Sequence, residues 1–560
     1  MPGMNKGALR KVLVCLGFAA VAYVSVGSLA LPHGPDQAIF AWIGDVILDG
    51  GVPYRNAWDI KGPFTYYIYA FAQGVLGQRE IAIRLFDLVT ILCGCWLLRK
   101  LVARLNGGNG FGASCAVVCY CLIYYSGGYA DTAQPEGWGG LLILAVLWLL
   151  VVREAGTPEA DQWPPATAAL AGVLIACAAL IKPTFLIYIA LPVVHLFVVL
   201  FSGRRPPWKG LFHIFLGFFL VLGLALALLF EAAALKDFGD ILQYLYTTYE
   251  TVDRPGWSDA LRAFPVSLLD TGILVPLLVV PIGLLETWRR NSRAVAVSML
   301  TWLLLAITTV TVQAQFWQDH WLPAALATSA IFGVALNRFG LQDGRLSVDE
   351  VRRTGEPRAA GIFGTTAALV IVLLVTFVPQ GWRAVARNSH WPVYVLGFEE
   401  RHHYIRQVTA PFNEVSEPYN YTVLCRLSSF IAAHSQPSDR LAIWGWDVPV
   451  FTMSGRESAT RFGVFQPLIE EGPVKSKYQR MFLDELAGND PKYVVVDTHG
   501  AYFMPAGSGL QLLHEFPEFD RYLQIHYRLL TNLDVYQVWI RSPSGPSTVA
   551  AGVPRDQTKN

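Results

Sequence analysis

The chain has 560 residues, of which 53% are hydrophobic and 15% charged, with a formal net charge of +1. Soluble proteins carry about a quarter of their residues as charges, so this composition marks an integral membrane protein. The near-zero net charge excludes a strongly basic nucleic-acid surface, and the sequence has no Walker loop to power ATP-driven transport.

Spans can be read in chain order, because a hydrocarbon core of about 30 Å takes about 20 apolar residues and cytoplasmic ends collect Lys and Arg. About eleven such runs are expected. The first, 8–31, has Lys6, Arg10 and Lys11 at its start, which puts the N-terminus in the cytoplasm. Its length, and the lack of a cleavage pattern before His33, predict an uncleaved anchor. The run 82–103 ends in Arg99, Lys100 and Arg104; 110–127 returns outward; 137–152 ends at Arg153. The apolar stretch 166–201, interrupted by Lys182-Pro183 and closed by Arg204-Arg205, reads as two helices meeting at the outer face. The runs 209–232, 264–288, 294–312, 321–338 and 361–379 complete the set. With Arg289-Arg290 after 264–288 and Arg345, Arg352, Arg353 and Arg358 before the last run, every basic cluster falls on the cytoplasmic side.

Three long segments, 32–81, 233–263 and 380–560, then lie outside. The first holds two amphipathic pieces, Gln37–Leu48 and Phe64–Leu76, expected in the interface plane. Beyond 380 the composition changes. Leu441–Trp446 and Tyr493–Asp497 read as buried strands, Lys475–Leu486 has helical spacing, and Tyr527–Leu530 with Asp534–Ile540 reads as a hairpin turning at Thr531-Asn532-Leu533. The expected fold is a multi-pass α-helical membrane protein: a membrane domain over 1–380, an outer soluble α/β domain over 381–543, and a Ser/Pro/Gly/Ala-rich disordered tail over 544–560.

Seven of the eight cysteines fall in apolar segments, against a disulfide scaffold. Cys115 and Cys119 share a helix face, where packing is the ordinary explanation and a metal the rare one. No carboxylate cluster has dedicated metal-ligand spacing, so no metal residues are assigned, although distant loops could still assemble a divalent-cation site.

The ionisable residues beside the spans carry the functional argument. Asp36 follows the first span and opens a piece containing Phe40 and Trp42, which would hold its carboxylate against the membrane as a general base; the plain alternative is a helix-end charge in water. Lys61 sits in Trp58-Asp59-Ile60-Lys61-Gly62-Pro63, where Gly and Pro fix a turn and an ammonium at headgroup level suits a phosphate, or merely snorkels. Asp59 is either the partner of Lys61 or a second substrate contact. Glu136, after Pro135, is equally a helix-start charge and a site residue, with Asp131 a weaker candidate in the same loop. Lys182, and Gln315 and His320 in Gln313-Ala314-Gln315-Phe316-Trp317-Gln318-Asp319-His320, are polar groups at membrane depth that tend to face a ligand path; His320 alone would more often be structural, but with Asp36, Lys61 and Glu136 on the same side it points to one polar cavity at the outer face. Tyr54, Trp58, Tyr66 and Tyr67 either stack on a sugar or belong to the aromatic belt, the safer default.

The order of Asp36, Gly50-Gly51-Val52-Pro53-Tyr54, Trp58 to Pro63, Gly77 through Arg84, Gln134-Pro135-Glu136, Leu180-Ile181-Lys182-Pro183 and Gln315 to His320 resembles the GT-C superfamily of polytopic glycosyltransferases. Within it, the pattern is similar to the bacterial branch related to protein O-mannosyltransferases, aminoarabinose transferases and Rgt-type lipopolysaccharide transferases, over roughly residues 8–380. The resemblance implies transfer of a sugar from a polyprenyl-phosphate carrier to an envelope glycan, lipid or protein at the outer face of the inner (cytoplasmic) membrane. It implies Asp36 as the acceptor's base, Lys61 as the donor-phosphate contact, Glu136 as a second acidic position, and Gln315 and His320 as a late-loop motif. Aminoarabinose transferases carry an acidic-Lys-Pro-Pro run where this chain has Ile60-Lys61-Gly62-Pro63, which leaves the role of Asp59 in doubt. In such a reaction Lys61, with Arg84 or Lys182, would stabilise charge on the leaving phosphate, and in-line attack would invert the anomeric carbon. A secondary transporter or flippase for a lipid-linked sugar is the competing class, but internal repeats and mid-bilayer charges are missing from the sequence. A non-catalytic envelope scaffold is the third.

Overall fold

The computed structural model describes residues 6–152, 163–249, 256–336, 379–409, 420–500 and 508–542. They form two compact units, Met1–Arg55 with Asp59–Thr409, and Asn56–Trp58 with Ala410–Asn560.

The first unit is helical. Among the described residues, six helices are long and apolar enough to cross a membrane: Lys11–Ser28, Glu80–Leu105, Pro135–Val152, Pro183–Phe201, Trp208–Glu231 and Arg293–Gln313. Gly110–Ser126 and Pro165–Ile181 are shorter and apolar. The helix Leu322–Ala335 is buried on every face, at the centre of the bundle. The expected crossing 264–288 is divided instead into Trp257–Asp270, Leu274–Leu278 and Val280–Arg290. Its sequence explains the breaks: Gly272 turns the chain at φ +74° after the first piece, and Pro281 opens the third, while Pro265 is accommodated inside the first. The expected span 361–379 lies almost wholly outside the described residues, as do the basic loop before it and the tail 544–560.

Lipid-like solvent gives helices no hydrophobic reason to pair, so close backbone approach matters. A Cβ on Gly172 would lie 1.9 Å from the Ile214 carbonyl oxygen, and one on Gly112 would lie 2.2 Å from that of Gly333. Trp208–Glu231 packs one such glycine-lined face inward and exposes Phe212, Phe219, Leu220, Leu224 and Phe230, each at least 60% accessible, as a lipid-facing surface would be.

The two amphipathic pieces form helices Pro35–Leu48 and Pro63–Leu76, which pack against each other. Phe40 and Trp42 are buried within the protein instead of lying on the membrane surface. The outer stripe is on the second helix, where Phe64, Tyr67, Phe71 and Val75 recur at helical spacing and are exposed.

The second unit has a four-stranded sheet ordered β1-β2-β4-β3, with β1 Leu441–Trp444, β2 Tyr493–Asp497, β3 Tyr527–Leu533 and β4 Tyr536–Arg541. β1 and β2 are parallel and wholly buried, which accounts for their continuous apolar sequences. β4 runs antiparallel between β2 and β3. Helices Tyr421–Ala433, Lys475–Asn489 and Pro517–His526 accompany the sheet, and Trp444 packs with Phe465, Phe482 and Phe519. The hairpin turns at Asp534-Val535, later than the expected Thr531–Leu533, with Asp534 taking the left-handed conformation at φ +51°.

Candidate active site

Proline places the site. It favours the first turn of a helix, where its missing N–H has no partner to lose. Helices starting at Pro35, Pro63 and Pro135, and the 3-10 segment starting at Pro183, set Asp36, Lys61, Glu136 and Lys182 at their N-terminal ends. Leu322–Ala335, with Pro323 in its first turn, brings His320 to its own start. The fold thereby gathers in one neighbourhood residues that the sequence separates by almost 300 positions.

Lys61 Nζ lies 3.8 Å from Asp36 Oδ2, with the Asp36 side chain 33% accessible and Lys61 14%. The Phe40 ring lies beside the ammonium, its centroid 6.0 Å away. Burial alone would lower the Lys61 pKa, but the carboxylates of Asp36, Glu136 and Asp319 outweigh it and hold the ammonium above its ordinary range. Tyr54 and Tyr66 are buried beneath this loop; their hydroxyls lie 2.9 Å and 3.1 Å from the Lys61 carbonyl oxygen. Tyr66 also donates to Asp59 Oδ2 at 2.9 Å. Burial pushes the Asp59 carboxyl up to about 6. Asp36, not Asp59, is thus the carboxylate in ion-pair range of Lys61. Tyr67 alone of the three tyrosines is exposed.

The Gly62-Pro63 turn draws the loop onto protein backbone. Gly62 N–H donates to the Ile181 carbonyl at 3.1 Å and Thr65 Oγ1 to the same oxygen at 2.9 Å. A Cβ on Gly62 would lie 2.0 Å from the Leu180 oxygen. This contact brings the Lys61 loop to the helix end that carries Lys182.

Lys182 Nζ donates to Glu136 Oε1 in a buried ion pair. His320 Nε2 lies 3.7 Å from the same oxygen and 4.0 Å from Asp319 Oδ2. Burial, then the Lys182 ammonium, depresses the His320 pKa well below its ordinary value, so the ring is neutral near pH 7. Burial, with Glu136 and Asp131 nearby, raises Asp319 well above the usual carboxylate range, and burial raises Asp131 to about 7. Gln315 Oε1 accepts from Trp317 Nε1 at 3.0 Å and from Tyr249 at 3.4 Å. The backbone on either side of it, at Ala314 and Phe316, is left-handed, as is that of Tyr54 and Ala133; strained backbone of this kind gathers at functional sites.

Ligand atoms of Glu136, Asp319 and His320 all lie within 4.8 Å of one another. Two oxygens and an imidazole suit a divalent cation by donor type, and although the Lys182 ammonium occupies Glu136 Oε1, Glu136 Oε2 is buried with no hydrogen-bond partner among the described residues.

Asp36, Lys61, Asp59, Glu136, Lys182 and His320 therefore meet in one neighbourhood, with Gln315 at its Tyr249 side. Arg84 is fully buried, with its terminal nitrogens bonded to protein oxygens. Sequence reasoning gave Asp319 no role, although an acid beside His320 at a helix start was a visible signal. It also passed over Asp87, an acid inside an apolar span, which is itself such a signal.

No protein-family model matches the sequence, and no curated protein matches it. Among solved structures, ArnT from Cupriavidus metallidurans bound to undecaprenyl phosphate is similar at a TM-score of 0.56 and 15% identity, covering 95% of this chain and 98% of that one. Its apo state gives a TM-score of 0.57 at 15% identity, covering 94% and 98%. The archaeal oligosaccharyltransferase AglB from Archaeoglobus fulgidus, in complex with an inhibitory peptide and a dolichol-phosphate, gives 0.47 at 11% identity over 94% and 74%. Over most of its length the chain shares the fold of the two ArnT structures.

Proposed function

We propose that the protein is a membrane glycosyltransferase that moves a sugar from a polyprenyl-phosphate carrier to an envelope glycan, lipid or protein, at the outer face of the cytoplasmic membrane. The observation that carries this reading is the 3.8 Å pairing of Asp36 with Lys61, beside a second lysine, Lys182, held by Glu136. A proton acceptor next to two cations, at one end of a lipid-embedded bundle, matches what transfer from a lipid-linked phosphate needs. The similarity to a structure of ArnT bound to undecaprenyl phosphate supports the donor class.

In this reading the donor phosphate enters between Lys61 and Lys182, and its negative charge releases Lys61 from Asp36. Asp36 takes the proton of an acceptor hydroxyl as that oxygen attacks the anomeric carbon. The bond from that carbon to the phosphate oxygen breaks, its electron pair stays on the phosphate, and polyprenyl phosphate leaves with the two ammonium groups balancing its charge. Attack opposite the leaving group inverts the anomeric carbon. Glu136 holds Lys182, neutral His320 lies against Glu136 and Asp319, and Asp59 fixes the loop through Tyr66. Asp36→Asn tests the reading: it abolishes transfer while the protein still inserts and folds. Full transfer by this variant would return Asp36 to a plain helix-end charge.

A further inference from the structure

Helix Glu80–Leu105 carries two buried charges three residues apart, Arg84 at 1% exposure and Asp87 at 2%. Among the described residues neither hydrogen-bonds to Asp36, Lys61, Glu136 or Lys182; each instead grips backbone and side chains that lead to them. Arg84 Nη1 donates to Thr132 Oγ1 at 2.7 Å. Its Nη2 donates to Gln37 Oε1 at 2.6 Å, to the Tyr129 carbonyl at 2.9 Å, and to the Pro32 carbonyl. Gln37 completes the link, accepting from Gly34 N–H at 3.0 Å and donating to the Tyr129 and Thr132 carbonyls, the first at 2.8 Å. One guanidinium therefore binds the segment bearing Asp36 to the segment bearing Asp131 and Glu136.

Asp87 secures the far end of that second segment. Its Oδ1 accepts from Tyr124 at 2.7 Å and from the Trp138 indole at 2.9 Å. The Tyr124 oxygen in turn accepts the Ala133 N–H at 2.9 Å, and Tyr69 donates to the Ala133 carbonyl at 3.1 Å. Ala133 is held at φ +55°, three residues before Glu136. A left-handed alanine persists only where its surroundings over-determine it, and these bonds do so.

We propose that Arg84 and Asp87 are positioning residues that fix Asp36 and Glu136 relative to each other, and that Arg84 is not a donor-phosphate contact. The proposal rests on the glycosyl-transfer reading. A planar fork with five donors in fixed directions can hold four acceptors on two chain segments at once, whereas the lysine ammonium is a compact point charge with three donors. Misplacing a reacting group by about 1 Å costs about 100-fold in rate, so the signature is a loss in kcat with donor affinity kept.

The test uses the full-length protein in proteoliposomes, with undecaprenyl phosphate as the binding probe and, for turnover, the undecaprenyl-phosphate-linked form of the sugar lost from the envelope when the gene is deleted. Arg84→Lys is expected to lower kcat by about 10- to 100-fold while donor KM and undecaprenyl phosphate affinity stay within about twofold. Loss of undecaprenyl phosphate binding, or a raised KM at full kcat, would make Arg84 a donor contact and overturn the proposal; an unchanged kcat would overturn it equally. Should Arg84→Lys fail to accumulate, Thr132→Val and Tyr124→Phe each remove one link, and kcat unchanged in both is the contrary result. Lys61→Ala separates the two claims. It is expected to lose undecaprenyl phosphate binding, and if it binds as wild type the transfer reading itself fails, whatever Arg84 does.

Discussion

Gly62→Ala probes the joint between the Lys61 loop and the helix end bearing Lys182. Gly62 has φ −67° and ψ 150°, a conformation alanine adopts freely, so any effect is steric. The added methyl would lie 2.0 Å from the Leu180 oxygen, 2.6 Å from its carbon and 2.9 Å from the Ile181 oxygen. These are backbone atoms, so the loop must lift by about 1 Å or more to reach ordinary contact, an overpacking that costs about 1–3 kcal/mol. Lifting it stretches the bonds from Gly62 N–H and Thr65 Oγ1 to Ile181, at 3.1 and 2.9 Å, each contributing about 0.5–1.5 kcal/mol. Alanine returns about 0.4–1 kcal/mol by restricting the unfolded chain, so the net loss is about 1–5 kcal/mol, depending on how far the two bonds stretch. Thermal unfolding in detergent and undecaprenyl phosphate binding measure it: the variant is expected to melt earlier and bind more weakly. Gly223→Ala is the control, since an added Cβ there meets nothing within 4 Å. Its melting point is expected at or slightly above wild type, in keeping with the helix propensity of alanine. A Gly62→Ala protein that melts and binds as wild type would refute the close docking of the loop.

Three further outcomes follow from the same geometry. Lys182→Met strands the Glu136 carboxylate in a buried site and is expected to destabilise the protein by about 3–5 kcal/mol, whereas Lys182→Met with Glu136→Gln removes both charges and recovers most of that stability without recovering transfer; both are read by thermal unfolding and a transfer assay. In the second unit, burial and then neighbouring Asp447 raise the Asp497 carboxyl from 3.8 to about 9, so the folded state holds its proton more tightly than the unfolded chain. Its contribution is fully present below about pH 4 and is lost as pH rises toward about 9. Asp497→Asn should therefore melt later than wild type at pH 8, with the difference vanishing near pH 4; Trp444 fluorescence reports it, and a pH-independent difference would contradict the assignment. Ala133→Gly relieves a left-handed alanine, so it is expected to keep transfer activity and to raise the melting point slightly; a lower melting point would show that Ala133 carries no strain.

Much of this architecture was legible in the chain because its signals are local. Apolar runs and prolines at helix starts announced the helices and set Asp36, Lys61, Glu136, Lys182 and His320 at their ends. The run 264–288 reads as one crossing because hydropathy averages over Gly272, where the backbone turns. The pairings were beyond reach. Asp59 is adjacent to the Lys61 loop in sequence, yet Asp36 is the ion partner, since a turn buries Asp59 against Tyr66. Arg84 entered as one of two possible helpers of Lys61 on the leaving phosphate; its acceptors are instead carbonyl and amide oxygens and a hydroxyl from 32, 37, 129 and 132, which only the fold brings together.

The most direct measurement is the envelope glycan profile, by mass spectrometry, of gene-deleted cells carrying either the wild-type chain or Asp36→Asn at equal membrane abundance. Wild type is predicted to restore one sugar that the deletion removes, while Asp36→Asn leaves it missing and its lipid-linked precursor accumulates. Restoration of that sugar by Asp36→Asn, or a profile that the deletion never altered, would contradict an active site centred on Asp36.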